Sequence, residues 1–193
     1  MTENSILTNK LVYNTDSKLP SNLLEEMLIT AKGTRISSAP AQIGDGNYEN
    51  NVVNKEIRSS SVYFLCWDTW VAGILHNMFI SANNDFFHYD IDHFDSGIQT
   101  TFYQKGDYYD WHSDGKGGTT PTQYERKLSM SFLLTDDYEG GELELEAKPS
   151  NFVLKPKAGT AVIFPSWLPH KVKPVISGER ISLVAWMNGP YFK

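Results

Sequence analysis

The sequence predicts an α+β chain, mainly β, on three observations. Apolar residues at helical spacing occur only in the stretch of about 20–83. From Ile98 onward the pattern changes to short alternating runs separated by turn residues. No internal repeat is visible, and 193 residues suit one domain with a substantial core. Helices followed by a series of short strands indicate α+β, with the β part a sandwich or a barrel.

Taken in order, residues 1–18 are polar, with an edge strand expected around Leu11–Tyr13. Pro20-Ser21 opens a helix carrying Leu23, Leu24, Met27 and Leu28, which Gly33 is expected to end. Thr34–Lys55 is rich in Gly, Ser, Asn, Pro and Ala. A loop of that length in a compact domain is commonly functional, and we expect a mobile lid. Arg58–Leu65 reads as a strand. Asp68 is placed to cap a second helix, whose apolar stripe is Trp67, Trp70, Val71, Ile74, Leu75, Met78 and Phe79. His76 lies off that stripe and is expected in solvent. A polar linker, FFHYDIDHFD, follows. Strands are then expected at Ile98–Tyr103, Tyr108–His112, Lys127–Leu134, Glu142–Glu146, Phe152–Leu154, Thr160–Phe164, Lys171–Val175 and Arg180–Trp186. Lys105-Gly106-Asp107 supplies the first turn between them.

Composition narrows the class. Hydrophobic content of 40% with 21% charged residues is that of a folded globular chain, not a disordered one. No apolar run is long enough for a bilayer and no signal-peptide core is present, so we expect a soluble cytoplasmic protein without a membrane partner. The net charge of −6 conceals an asymmetry: residues 1–147 carry 10 Lys/Arg against 22 Asp/Glu, residues 148–193 carry 7 against 1. No overall basic excess points to nucleic acid. The local excess suits either lysines that blunt edge strands or a field that draws in a small anion. Cys66 is the only cysteine, which excludes an internal disulfide and a thiolate zinc cluster; it is expected to be a small buried hydrophobe.

Three H-x-D tripeptides occur. His88-Tyr89-Asp90 and His93-Phe94-Asp95 sit in the polar linker and read as solvated. His112-Ser113-Asp114 lies at a strand end, where residues i and i+2 share a face. An imidazole beside a carboxylate is two-thirds of a 2-His-1-carboxylate iron site. His170 precedes a later strand and can complete it. Ten positions on, Arg180 offers a planar fork for a carboxylate, and Ser182 on the same face adds a hydroxyl.

The segments YQKGDYYDWHSD, LSMSFLLTDDYEGGELEL and KAGTAVIFPSWLPHKVKPVISGERISLVAW resemble the Fe(II)/2-oxoglutarate-dependent dioxygenases, in particular the prolyl 4-hydroxylases and the PKHD-type hydroxylases. The resemblance spans roughly Arg58 to Gly189. It implies a double-stranded β-helix (jelly-roll) over about 97–188, with supporting N-terminal helices over about 20–83, in a single domain of 1–193. It implies Fe(II) and 2-oxoglutarate, with ascorbate as a possible third requirement. His112, Asp114 and His170 would be the iron ligands and catalytic centre, with Arg180 as the 2-oxoglutarate anchor aided by Tyr103 and Ser182. Trp186 matches a pocket tryptophan and Arg58 an arginine near the substrate groove; Arg58 could hold a peptide carbonyl or an acidic side chain there. Tyr108, Tyr109, Trp111 and Trp186 are aromatics suited to a pyrrolidine ring. Collagen-type and algal-type relatives carry Lys at the position of Arg180, and the oxygen-sensing animal enzymes have a tyrosine near Leu133. The expected activity is hydroxylation of a prolyl residue in a protein or peptide, with succinate and CO₂ as co-products. The alternatives are a hydroxylase of a free amino acid or another small molecule, a non-catalytic jelly-roll binding module, and a zinc hydrolase using the same ligands.

Overall fold

The computed structural model describes residues 11–15, 19–37, 57–95, 97–115 and 124–192. The expected lid falls outside the described residues from position 38 to Lys55. Its first four residues belong to a helix instead. Helix α1 runs from Ser21 to Ser37, beginning where the Pro20 carbonyl accepts the N–H groups of Leu23 and Leu24. It does not end at Gly33. A helical glycine costs about 1 kcal/mol relative to alanine, but contacts on both sides outweigh it. Met27, Ala31 and Thr34 are buried, and Arg35 at the far end pairs with Glu179 at 2.8 Å and lies 4.1 Å over the Phe102 ring.

Helix α2, Trp70–Ala82, buries Val71, Ala72, Leu75, Phe79 and Ala82. The expected stripe starts too early. Trp67 and Trp70 are 64% and 46% exposed, and Thr69, not Asp68, is the N-cap residue. The preceding strand reaches Cys66, and Thr69 is still extended (φ −86°, ψ 155°), which leaves Trp67 in the turn. Cys66 is exposed, against expectation, because it ends that strand on an outward position. Beyond α2 the chain continues as a π-turn, Asn83–Phe87, closed by His88 at φ 55° and by the Asn83 side chain bonded to both backbone groups of Tyr89. His76, His88 and His93 are all exposed, as expected.

Thirteen strands occur among the described residues. In chain order they are β1 (Tyr13–Asn14), β2 (Ser61–Cys66), β3 (His93–Phe94), β4 (Gly97–Tyr103), β5 (Tyr109–His112), β6 (Tyr124–Leu133) and β7 (Glu139–Gly140). They continue with β8 (Leu143–Leu145), β9 (Phe152–Leu154), β10 (Ala161–Pro165), β11 (His170–Val172), β12 (Val175–Ser177) and β13 (Arg180–Pro190). The large sheet has the order β1-β10-β6-β13-β4-β2, with β3 added to β13; the small sheet has the order β5-β11-β8-β9; β12 pairs with β7. All pairings are antiparallel. The fold is a double-stranded β-helix, or jelly-roll, supported by the N-terminal helices.

Two details differ from the sequence reading. The turn at Lys105–Asp107 does not close a hairpin. β4 stays in the large sheet while β5 crosses to the small one, with Gly106 at φ 89° making the departure. The strand expected at Lys171–Val175 divides into β11 and β12 around Pro174, which has no N–H to give a ladder. No helix among the described residues is long and apolar enough to cross a membrane.

Side-chain alternation gives the large sheet two unlike faces. Ile98 and Phe102 of β4, Leu128, Met130 and Phe132 of β6, and Leu183 and Ala185 of β13 pack with Leu75 and Phe79 of α2. The intervening residues, Thr101 and Tyr103, Ser131, and Arg180, Ser182 and Trp186, face the small sheet. The helices therefore cover one face, and the small polar side chains of the other line a cavity. At the end of β13, Gly189 passes so close to the Asp90 carbonyl that a Cβ there would strike its oxygen. Gly189→Ala should therefore push the 88–95 segment off β13 and cost about 1–3 kcal/mol, read as a lowered midpoint in thermal or urea denaturation.

Candidate metal and anion site

The site begins with strand register. β5 and β11 are neighbours, and His112 stands directly opposite His170, their ring centroids 4.1 Å apart. Asp114 follows two residues after His112, and its backbone N–H donates to the Ser166 carbonyl at 2.8 Å, turning the carboxylate inward. Each imidazole has its Nδ1 against a backbone carbonyl two residues earlier: His112 on Asp110 O at 2.8 Å, His170 on Leu168 O at 3.0 Å. A ring nitrogen facing a carbonyl can only donate, so Nδ1 carries a proton, and in the neutral ring the lone pair falls on Nε2. The Nε2 atoms lie 3.9 Å and 3.6 Å from the oxygens of Asp114. One ligand atom from each residue falls within a 4.8 Å group.

The protonation states suit a cation. Burial and then the neighbouring His170 push His112 down to about 4, so its ring is neutral at ordinary pH. Burial raises Asp114, but His170, His112 and hydrogen bonds from Trp186 and Ser129 outweigh it and hold the carboxyl below its usual value. The Ser129 hydroxyl donates to Asp114 Oδ2 at 2.8 Å and lies 2.9 Å from Ser166 Oγ; the Trp186 indole Nε1–H donates to the same Oδ2 at 2.9 Å. Trp186 is covered in turn by Arg126, 3.8 Å over its ring, and Arg126 is held by Asp95 at 3.0 Å. On the other side Tyr109 stacks on His112 at 3.5 Å and 14°.

These residues open into a cavity of about 270 Å³ between the two sheets. Arg180 is 3% exposed within it. Its Nη1 donates to Ser182 Oγ at 2.9 Å and its Nη2 to Ser131 Oγ at 3.4 Å, while Nε has no partner. Tyr103 stands opposite Arg180 in the β4–β13 ladder, with its ring 5.2 Å from the guanidinium. Tyr138 is a further neighbour; burial raises its hydroxyl, and Arg180 beside it works against that rise. Among the described residues this buried guanidinium is held only by neutral groups, and a cation so placed calls for an anion. Two imidazoles, each with Nδ1 on a backbone carbonyl, and one carboxylate offer a divalent metal N,N,O ligation. The residues present thus fit both Fe(II) and a dicarboxylate such as 2-oxoglutarate.

Of the residues singled out in the sequence, His112, Asp114, His170, Tyr103, Arg180, Ser182, Arg58 and Trp186 all line this cavity. Tyr108 does not; it precedes β5, and its neighbour Tyr109 takes the place, an irregularity in the β5–β11 ladder letting Tyr109 and His112 both face the cavity. Arg58 is not in an open groove. It is 5% exposed, bridged to Tyr109 through its backbone and stacked 4.4 Å over the Tyr109 ring. Ser129, Ser131, Arg126 and Tyr138 were not found from the sequence. Alternation along β6 from Leu128 could have shown Ser129 and Ser131 on the face opposite the core.

Residues 98–188 match the family model described as the 2OG-Fe(II) oxygenase superfamily. A PKHD-type hydroxylase of Alteromonas mediterranea is 37% identical over 91 residues, covering 45% of this chain and 40% of that protein. One of Hyphomonas neptunium is 39% identical over 90 residues, covering 44% and 39%. The matched stretch thus spans about two-fifths of the length of these curated relatives. A Pseudomonas putida prolyl-4-hydroxylase superimposes with a TM-score of 0.69 at 20% identity, over 93% of each chain. A Trichoplax adhaerens prolyl hydroxylase, in complex with a hypoxia-inducible-factor oxygen degradation domain peptide, gives 0.73 at 19%, over 94% of this chain and 84% of its own. These two likenesses carry the fold. The family match and the curated relatives bear out the resemblance in the three sequence segments.

The carboxylate of Asp114 depends on Trp186 for one of its two side-chain donors. Trp186→Phe keeps the ring but removes the N–H, and should weaken divalent-metal binding about 10-fold. Titration calorimetry with Mn(II) measures this directly.

Proposed function

We propose that this chain, whose residues 98–188 match the 2OG-Fe(II) oxygenase superfamily, is an Fe(II)- and 2-oxoglutarate-dependent hydroxylase of a prolyl residue in a protein or peptide. The observation that carries the reading is a single cavity holding two imidazoles and a carboxylate together with a buried guanidinium that has no anionic partner among the described residues. The prolyl assignment is supported by the PKHD-type relatives and by the prolyl hydroxylases that share the fold. The reading treats 1–193 as one oxygenase domain, with the helices about 20–83 supporting the strands about 97–188.

His112, Asp114 and His170 would hold Fe(II), and Arg180 the distal carboxylate of 2-oxoglutarate. When bound, iron and 2-oxoglutarate supply the oxidising chemistry that converts a C–H bond to an alcohol, with succinate and CO₂ as co-products. The chain's own residues bind, orient and exclude water. The carbonyls of Asp110 and Leu168 hold both histidines in the tautomer that ligates through Nε2. Ser129 and Trp186 fix Asp114 Oδ2. Ser131, Ser182 and Tyr103 aim and shield Arg180. A zinc hydrolase would use the same ligands but leaves the buried cation of Arg180 without a purpose.

His112→Ala should abolish substrate-triggered succinate release and weaken metal binding, with the melting transition retained. Unchanged succinate release would overturn the ligand assignment. Arg180→Ala should weaken 2-oxoglutarate binding by roughly 30-fold to several thousand-fold, as expected for loss of a buried carboxylate's charged partner. Metal affinity should hardly move, and Arg180→Lys should recover only part of the loss because the planar fork is absent. Mass spectrometry of proline-containing peptides incubated with Fe(II), ascorbate and 2-oxoglutarate tests the substrate. No oxygen gain in any peptide, with succinate release triggered by free L-proline, would replace the peptidyl reading with a small-molecule one.

A further inference from the structure

Three guanidinium groups line the cavity. Arg126 is held by the Asp95 carboxylate, whereas Arg58 and Arg180 have no carboxylate partner among the described residues. Arg58 is 5% exposed, nearly as enclosed as Arg180 at 3%. Its Nε donates to Ser60 Oγ at 2.6 Å and its Nη2 to Thr101 Oγ1 at 3.4 Å. Its face lies 4.4 Å over the ring of Tyr109. Among the described residues Arg58 has hydroxyls and an aromatic face around it and no carboxylate, the same surroundings as Arg180.

The two cations have separate places. Their contacts on β4 are Thr101 for Arg58 and Tyr103 for Arg180, two residues or about 7 Å apart on one face. Arg58 stands behind the metal ligand His112, with Tyr109 between them. 2-Oxoglutarate has one carboxylate for Arg180, and its keto acid end belongs at the metal. It leaves nothing for Arg58. A second uncompensated guanidinium in the same enclosed space raises the local potential and favours a second anion. The planar fork matches a carboxylate.

We propose that Arg58 is the socket for a carboxylate carried by the substrate itself, close to the carbon to be hydroxylated; this rests on the hydroxylase reading above. The carboxylate is either the α-carboxylate of a free or chain-terminal residue, or the side chain of an Asp or Glu next to the target in a peptide. In either case the site selects acidic over neutral substrates, and Arg58 sets that selection.

Binding without turnover tests this. The protein is loaded with Mn(II) and 2-oxoglutarate, and calorimetry compares matched probes that differ only in charge. One pair is N-acetyl-L-proline and N-acetyl-L-prolinamide. The other is the blocked peptide acetyl-Ala-Pro-Asp-Ala-amide and its Asn counterpart. In one pair at least, the carboxylate member should bind roughly 30-fold more tightly or better, and which pair shows it identifies the source of the charge. Arg58→Gln should erase the preference while leaving the affinity for 2-oxoglutarate within about two-fold, which also shows that the variant is folded. Arg58→Lys should restore part of the preference. Equal binding within both pairs, or a preference that survives in Arg58→Gln, would overturn the proposal. Failure to bind 2-oxoglutarate with the charge preference intact would instead overturn the oxygenase reading and leave the Arg58 socket standing.

Discussion

The pairing of β5 with β11 is the constraint on which the rest of the site depends. It sets His112 against His170 across one antiparallel ladder. A slip of one residue in that ladder would turn one imidazole out of the cavity, since side chains alternate faces. β11 cannot slip freely because its other edge is held by β8, with His170 opposite Leu145 and Val172 opposite Leu143, both buried leucines. The apolar cluster between the sheets thus acts on His112 and His170 through register. Asp114 is the only one of the three outside a strand, and the Ser166 carbonyl ties it back.

A second constraint is the division of labour across the large sheet. The same strands that bury Phe132, Leu183 and Phe102 against the helices carry Ser131, Ser182 and Tyr103 on the reverse side. Close-packed apolar residues hold the backbone still, and small hydroxyl-bearing residues leave space and supply hydrogen bonds. Most of the lining is attached to core strands, which favours a fixed geometry; Arg58, Ser113 and Asp114 stand just outside them.

Much of this was legible in the sequence. Period-two alternation located β4, and β9 was read to its exact bounds; the ends of β6, β10 and β13 moved by one to four residues. Strand spacing brought His112, Asp114, His170, Arg180 and Ser182 into view, and the resemblance brought Tyr103; the cavity holds all six. What was missed has common causes. Helix α1 outran Gly33 because Arg35 finds Glu179 and Phe102, partners far along the chain. Trp67 and Cys66 were misjudged because hydrophobicity does not tell which side of a strand end meets solvent. Tyr108 and Tyr109 are indistinguishable by type, and only the crossing of β5 to the small sheet decides between them. The buried state of Arg58 depends on Tyr109, which lies far from it in sequence.

The surroundings of Arg180 have one more consequence. Its partners are hydroxyls, and none of them can sense a keto group at the other end of a guest. Such a socket reads charge and reach alone. On the proposed reading, the spent four-carbon diacid satisfies it nearly as well as the five-carbon one that enters. On that reading the two acids compete for one guanidinium, and telling them apart falls to the other end of the cavity.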